Sequence, residues 1–266
     1  MLKRIFAGLI IAVAMAIPAL AGPFEDATAA YQRGDYATAL RLVRPLADRG
    51  DASSQYDVGI IYDNGKGVPQ DYKEAIKWYR LAAAQGRADA QFNLAVHYAA
   101  GEGVPRDTAE AVKWYRAAAE QGHVGAQFTL GHWYDRGERV LQDYAEAVKW
   151  YRLAAAHGDA DAQALLGLLY AQGRGVPQDL NEALKLYRLA AEQGNATAQG
   201  LVGLSYEVGQ GVPQDYVLAH MWYNLAAANG NTVGVTDRDR VARLMTPDQI
   251  AEAQHMAREW KPTPRP

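Results

Sequence analysis

The chain has 266 residues, a formal net charge of −3 and no cysteine. Its length suits one or two ordinary domains, and its mixture of apolar and charged residues is typical of a folded protein rather than a disordered one. Without cysteine, disulfides and thiolate metal sites are excluded. The sequence contains no basic block or stripe, so we expect no nucleic-acid partner.

Residues 1–21 have the layout of a secretory signal peptide. Lys3 and Arg4 give a positive start, and an apolar run follows at 5–17. Small residues precede position 22, so we predict cleavage after Ala21. The apolar run is shorter than the roughly 20 residues of a membrane-spanning helix, and an uncleaved anchor is the alternative. The layout predicts an exported protein, periplasmic or secreted, that is not held in a membrane after cleavage.

After the signal peptide, residues 22–51 are predicted to form a short helical hairpin that caps the N-terminal end. From residue 52 the chain repeats with a period of 36 residues, and tryptophan recurs in one frame at 78, 114, 150 and 222. A fixed period in this range is the signature of stacked repeats. We divide this part of the chain into five units, namely 52–87, 88–123, 124–159, 160–195 and 196–231.

Each unit is predicted to contain two helices, which the second unit illustrates. Its first helix is expected near 90–99 and its second over 107–121. Apolar residues of the second helix recur at i, i+3, i+4, i+7 and i+8, which places them on one helix face. Asp107 and Glu110 have the spacing of a capping box, as do their equivalents in the first, third and fourth units. Gly122 follows the last helical residue, where a left-handed conformation is favoured.

The C-terminal part differs from the repeats, as a terminal cap must. Residues 232–260 are predicted to form capping helices, and the last of these opens at Thr246 with Pro247 at the first helical position. Residues 261–266 are rich in proline and are predicted to be a flexible tail.

The repeated pattern resembles the Sel1-like repeat family, which is related to the tetratricopeptide repeat. Its motifs are Ala-x-x-x-Leu-Gly-x-x-Tyr, Gly-x-Gly-Val-Pro-x-Asp and Ala-x-x-Trp-Tyr-x-x-Ala-Ala-x-x-Gly, and they cover nearly all of 52–230. The resemblance implies an all-α protein, a right-handed superhelical α-solenoid of antiparallel helix pairs that acts as a protein-interaction scaffold. In the third unit Arg139 and Leu141 replace the second glycine and the proline of the loop, so we expect a distorted loop there.

The motifs of familiar enzymes and metal sites are missing. None of the three serines begins Ser-x-x-Lys or occupies a Gly-x-Ser-x-Gly elbow, and none of the six histidines forms His-Glu-x-x-His. We therefore predict no catalytic residue, no cofactor, no metal and no enzymatic activity. Two alternatives to a scaffold stay open: a structural or self-assembling envelope protein, and a hydrolase with an unrecognised site.

Comparison of the units with one another indicates where a partner would bind. The first helices have positions that vary between units, and in the tetratricopeptide architecture the first helices line a concave groove. By that analogy the partner-binding residues are His97, His132, Trp133, Asp135, Leu165, Leu168 and Leu169. The alternative is that these side chains pack inside the superhelix. We expect a monomer that binds a protein or peptide partner.

Overall fold

The computed structural model describes residues 22–262, and within them it contains fourteen α-helices and no strand. The helices are α1 Pro23–Gln32, α2 Tyr36–Asp48, α3 Ala52–Asn64, α4 Tyr72–Ala84, α5 Ala88–Ala100, α6 Thr108–Glu120, α7 Val124–Arg136, α8 Tyr144–Ala156, α9 Ala160–Gln172, α10 Leu180–Glu192, α11 Ala196–Val208, α12 Tyr216–Ala228, α13 Thr232–Ala242 and α14 Pro247–Glu259. The predicted signal peptide and most of the predicted tail lie outside the described residues.

The helices stack in chain order. Consecutive helices pack on one another from α1 to α13, and α14 packs on α12. Each unit therefore shares a core with its two neighbours, and the predicted all-α solenoid of helix pairs is confirmed.

The second helix of each full unit begins at an aspartate cap, but the predicted capping box does not form. Oδ1 of Asp71 accepts from the Glu74 backbone N–H at 3.0 Å. The Asp71 N–H donates instead to the Tyr62 carbonyl at 3.0 Å, so the Glu74 carboxylate is not needed there. Glu74 accepts from the indole N–H of Trp78 at 3.0 Å. The prediction of reciprocal capping was wrong because the loop already satisfies that N–H group.

The glycine after each second helix adopts the predicted left-handed conformation. Gly86 has φ 88°, and its equivalents have φ between 83° and 92°. Because L-residues with a Cβ rarely adopt this region, glycine allows the chain to reverse within one residue.

The loop of the third unit keeps the backbone conformation of the other loops. Arg139 has φ 66°, close to the 71–73° of the glycines that occupy this position elsewhere. Its guanidinium donates to the Ala99 carbonyl at 2.6 Å and lies 5.3 Å from the centre of the Trp133 ring. The expected distortion at this residue is absent, because these two contacts hold arginine in a conformation that suits glycine.

Two series of side-chain hydrogen bonds repeat between neighbouring units. Arginines of the second helices donate to tyrosine hydroxyls of the next unit, as Arg80 does to Tyr98 at 2.8 Å. Glutamines of the first helices donate back to the preceding unit, as Gln91 does to the Ala83 carbonyl at 3.2 Å. These contacts fix the register of stacking as well as its strength.

Candidate partner-binding groove

The first helices of the five units share one exposed or half-exposed side, which we call the groove face. Its two rows of residues are Asp57, Asn93, Thr129, Leu165 and Leu201, and Ile60, Val96, His132, Leu168 and Leu204. Val96 is 37% and Leu204 is 40% exposed, although both are aliphatic. Both rows end in leucine in the fourth and fifth units, so this end of the groove face is apolar.

The structure separates the seven predicted groove residues into two groups. His132, Asp135, Leu165 and Leu168 are half-exposed, as a binding surface requires. The other three are buried: Leu169 is 2%, His97 is 3% and Trp133 is 7% exposed. The placement of these three on the groove surface was wrong, because their side chains fill spaces between units.

We call each such space between two neighbouring units a junction, and three residues line each one. They are the tyrosine of a second helix, a residue near the end of the first helix in the same unit, and a residue from the next unit or from α13. Junctions 1 to 5 consist, in chain order, of Tyr79, Asp63 and His97; Tyr115, Ala99 and Trp133; Tyr151, Asp135 and Leu169; Tyr187, Ala171 and Ser205; and Tyr223, Glu207 and Arg240. The middle member is acidic at junctions 1, 3 and 5 and alanine at junctions 2 and 4.

Junction 1 pairs three polar groups. The Tyr79 hydroxyl donates to one oxygen of Asp63 at 3.0 Å, and Nε2 of His97 lies 3.2 Å from the other. Burial opposes ionisation of Asp63, but His97 and Tyr79 together lower the pKa of Asp63 below its ordinary value. These residue types also occur in catalytic sites. Here Tyr79 and His97 are buried, so the group serves to hold two units together.

Junction 5 satisfies its acid in the same manner. The Tyr223 hydroxyl donates to Oε2 of Glu207 at 2.6 Å, and Nη2 of Arg240 donates to the same oxygen at 2.9 Å. Nη1 of Arg240 pairs with the other oxygen. The buried carboxylate of Glu207 is thus paired with the Tyr223 hydroxyl and with a cation, Arg240, from the C-terminal cap.

Junction 3 has an acid without such partners. Within residues 22–262 the Asp135 carboxylate forms no ion pair of the kind seen at junctions 1 and 5, although the charge of the adjacent Arg136 acts on Tyr151. Tyr151 is fully buried, and its hydroxyl has no hydrogen-bond partner there. Burial raises the pKa of Tyr151 most, the charge of Asp135 and its closeness to the hydroxyl raise it further, and the charge of Arg136 opposes them. The third member is Leu169, which can supply neither a charge nor a donor.

Junctions 2 and 4 both contain alanine, but they are filled differently. At junction 2 the Trp133 ring packs edge-on against Tyr115 with centroids 5.2 Å apart. At junction 4 the equivalent residue is Ser205, whose hydroxyl donates to the Leu201 carbonyl at 2.9 Å. A pocket of about 200 Å³ remains, lined in part by Leu168, Ala171, Tyr187, Leu201, Leu204 and Ser205. Leu168, Leu201 and Leu204 belong both to this lining and to the apolar end of the groove face.

A second pocket, at the N-terminal end of the stack, was not predicted from the sequence. It has a volume of about 400 Å³ and is lined by residues of α1, α2 and α3, including Phe24, Tyr31 and Asp57. Burial raises the pKa of Asp57 to about 6, against the opposing charge of Arg87. No sequence motif marks this pocket, because it arises where the short first hairpin meets the first full unit.

The described part of the chain contains no cluster of three or more histidine or acidic side chains arranged to hold a metal ion. Among residues 22–262, no helix is both long and apolar enough to cross a membrane.

Comparison with known proteins identifies the repeats. The Sel1 repeat model matches residues 52–86, 88–123, 124–159, 160–195 and 196–231. A Sel1 repeat protein from Oxalobacter formigenes is 35% identical, with a TM-score of 0.78, over 88% of this chain and 98% of its own. The comparison with curated proteins gives no match.

A second solved structure is also similar. It is c5321, a protective antigen of uropathogenic Escherichia coli strains with an SLR fold, which is 34% identical with a TM-score of 0.77. The similarity covers 89% of this chain but only 52% of that antigen, so the chain spans about half of its length. Five matched units and similarity over nearly the whole of a Sel1 repeat protein show that the chain belongs to the Sel1 repeat family.

Proposed function

We propose that this chain is an exported scaffold that binds a protein or peptide partner along its groove face. Sel1 repeat proteins generally act as protein–protein interaction scaffolds. The observation that carries the proposal is the apolar end of the groove face, where Leu165, Leu168, Leu201 and Leu204 keep part of their surface exposed. Adjoining exposed apolar surface is typical of protein interaction sites and ligand-binding grooves.

The proposed role is non-enzymatic. The most enzyme-like group is Asp63, His97 and Tyr79, and its buried hydrogen bonds are explained by the joining of two units. Sel1 repeat proteins are typically scaffolds without enzymatic activity.

Capture of a partner with a groove variant tests the proposal. We expect Leu168→Asp to reduce recovery of the partner from a cell-envelope extract, because a charge would face the partner's apolar surface. The control is Leu153→Asp, since Leu153 is 41% exposed on the second helix of the third unit. Thermal melting of both variants must match the parent. Equal capture by the parent and the groove variant would reject the groove.

Export is a separate part of the proposal. Its support is the signal-peptide layout of residues 1–21 and the description of the similar uropathogenic protein as a protective antigen, which points to a location that antibodies reach. Intact mass spectrometry of protein from the envelope or the medium should give a chain that begins at Gly22. A chain that keeps Met1, or that stays in the cytoplasm, would reject export and leave the groove unaffected.

Self-assembly is the principal alternative to a monomeric scaffold. Light scattering of the purified protein over a range of concentrations separates the two, since a scaffold of this kind should keep the mass of one chain. Growth into larger species that Leu168→Asp abolishes would instead make the groove face a self-association surface.

A further inference from the structure

We propose that the partner segment carries a lysine or arginine that pairs with Asp135 and, next to it, a bulky apolar side chain that enters the pocket at junction 4. The inference rests on the proposed function and names the chemistry of the partner.

The argument for a cation begins with the two other acidic junctions. At junction 1 the acid has His97 and a tyrosine hydroxyl, and at junction 5 it has Arg240 and a tyrosine hydroxyl. Junction 3 retains the acid and the tyrosine, but Leu169 stands where His97 stands in junction 1. Within residues 22–262, a nitrogen donor thus reaches the acid at junctions 1 and 5 but not at junction 3, where a lysine or arginine of the partner would supply it.

The buried hydroxyl of Tyr151 points to the same conclusion. A fully buried donor without a partner is costly, and Tyr151 is such a group. Its equivalents Tyr79 and Tyr223 donate to the acid of their junction at 3.0 and 2.6 Å. A partner cation paired with the half-exposed Asp135 would orient its carboxylate so that the Tyr151 hydroxyl donates to it. This is the arrangement that Tyr79 and Tyr223 have at junctions 1 and 5.

The argument for an apolar side chain comes from the two alanine junctions. Trp133 fills the space beside Ala99, whereas Ser205 leaves a pocket of about 200 Å³ beside Ala171. The Ser205 hydroxyl is already bonded to the Leu201 carbonyl, so it does not require a polar ligand. An indole occupies the equivalent space within the chain, so an aromatic or branched side chain suits the pocket.

The two features adjoin because junctions 3 and 4 belong to consecutive units. Leu168 lies on the groove face between them and lines the pocket. Charge-assisted pairing and an enclosed aromatic anchor are the contacts that usually carry most of the affinity of a peptide complex. A short extended segment with both groups would therefore bind across the third and fourth units.

Selection from a random-peptide phage library on the full chain tests the inference. We expect enrichment of peptides in which lysine or arginine adjoins an aromatic or branched residue. A synthetic peptide of the selected sequence is then titrated by fluorescence anisotropy. Asp135→Asn should weaken its binding about tenfold or more, and added salt should weaken binding to the parent. The control is Glu120→Gln, which removes an exposed charge from the end of α6.

Filling the pocket tests the second anchor. Ser205→Trp copies junction 2 and should remove the preference for an aromatic residue, and Ser205→Leu serves if the larger residue lowers the melting temperature. Leu169→His copies junction 1 and should satisfy Asp135 from within, so it should also weaken basic peptides. If Asp135→Asn unfolds, Leu169→His decides the charge question.

Several results would overturn the inference. They are failure to enrich any peptide, enrichment of acidic or uncharged peptides, and equal binding of the selected peptide by the parent, Asp135→Asn and Leu169→His. Binding of a second copy of the chain in place of peptides would also contradict it. If Leu168→Asp still loses the captured partner while basic residues are not selected, the proposed function stands and only the inference fails.

Discussion

At the residue scale, Arg139 is the clearest departure from the repeat. In the other full units glycine occupies this position, and at Gly175 a Cβ atom would lie 2.3 Å from the Tyr144 carbonyl oxygen. Arg139 keeps the left-handed backbone at φ 66°, and its guanidinium is held by the Ala99 carbonyl and the Trp133 ring. These two contacts stabilise a residue type that this backbone conformation disfavours.

This explanation predicts an order of stability for two variants. Arg139→Ala keeps the left-handed backbone strain but loses the bond to Ala99 and the contact with Trp133, so it should lower the free energy of unfolding by about 1–2 kcal/mol. Arg139→Gly loses the same contacts but relieves strain, and should be more stable than the alanine variant by up to about 1 kcal/mol. Urea denaturation measures both. An alanine variant more stable than the glycine variant would refute the account.

Asp57 gives a prediction on pH. Its folded pKa of about 6 lies above the ordinary aspartate value because burial disfavours the charge, with Asp51 adding to the shift and Arg87 opposing it. The folded protein then binds more protons than the unfolded chain between about pH 4 and pH 6, so the contribution of Asp57 to stability falls as the pH rises through that window.

We therefore expect Asp57→Asn to stabilise the protein more at pH 7 than at pH 4. An NMR titration of the Asp57 carboxyl carbon should have its midpoint near 6. Glu138→Gln, at an exposed position, is the control and should not change the pH dependence. A midpoint at the ordinary aspartate value would show that Asp57 is solvated.

At the element scale, a hydrogen bond between the two helices of each unit recurs with one exception. A glutamine or asparagine after the second helix donates to the buried glutamine of the first helix, as Gln121 does to Gln91 at 2.7 Å. In the third unit His157 takes this position, and Oε1 of Gln127 is buried without a partner.

Restoring the bond should stabilise the third unit. We expect His157→Gln to raise the free energy of unfolding by about 1 kcal/mol, because an unpaired buried acceptor gains its donor. The reverse change, Gln121→His in the second unit, is the matched control and should lower stability by a similar amount. Urea midpoints of the two variants that move in the same direction would contradict the argument.

The helices themselves could be predicted from the sequence because their signals are local. Apolar residues recur with helical spacing, Asp71 and its equivalents cap the second helices, and Gly86 and its equivalents end them. The groove residues are harder to predict, because a position that varies between units can be buried as well as exposed. Trp133 differs from its equivalents because it fills the space beside Ala99, whereas Ser205 leaves the space beside Ala171 partly open. The burial of such a residue depends on its partner in the preceding unit, so it cannot be read from one position alone.

At the scale of the whole molecule, the stack predicts that damage stays local. Trp150 is 1% exposed and packs in a cluster formed by α5 to α8. Large-to-small changes of buried aromatics cost about 3–5 kcal/mol, and neighbouring units are coupled more strongly than distant ones. In Trp150→Ala we expect amide hydrogen exchange to rise first in the second and third units.

The equivalent change at the C-terminal end is the matched control. Trp222 packs against Trp260 with ring centroids 6.0 Å apart, so Trp222→Ala should loosen α12 and α14 first. If both variants accelerate exchange evenly along the chain, the units do not behave as a nearest-neighbour stack.

The central claim is that the groove face, and not the exposed side of the second helices, holds a partner. Site-specific photo-crosslinking tests it most directly, with a benzophenone amino acid placed in turn at Leu168 on the groove face and at Leu153 on the second helix of the third unit. Irradiation of cells that express each variant should give a partner adduct from position 168, with none from position 153. Adducts from position 153 alone, equal adducts from both positions, or none from either would contradict the account.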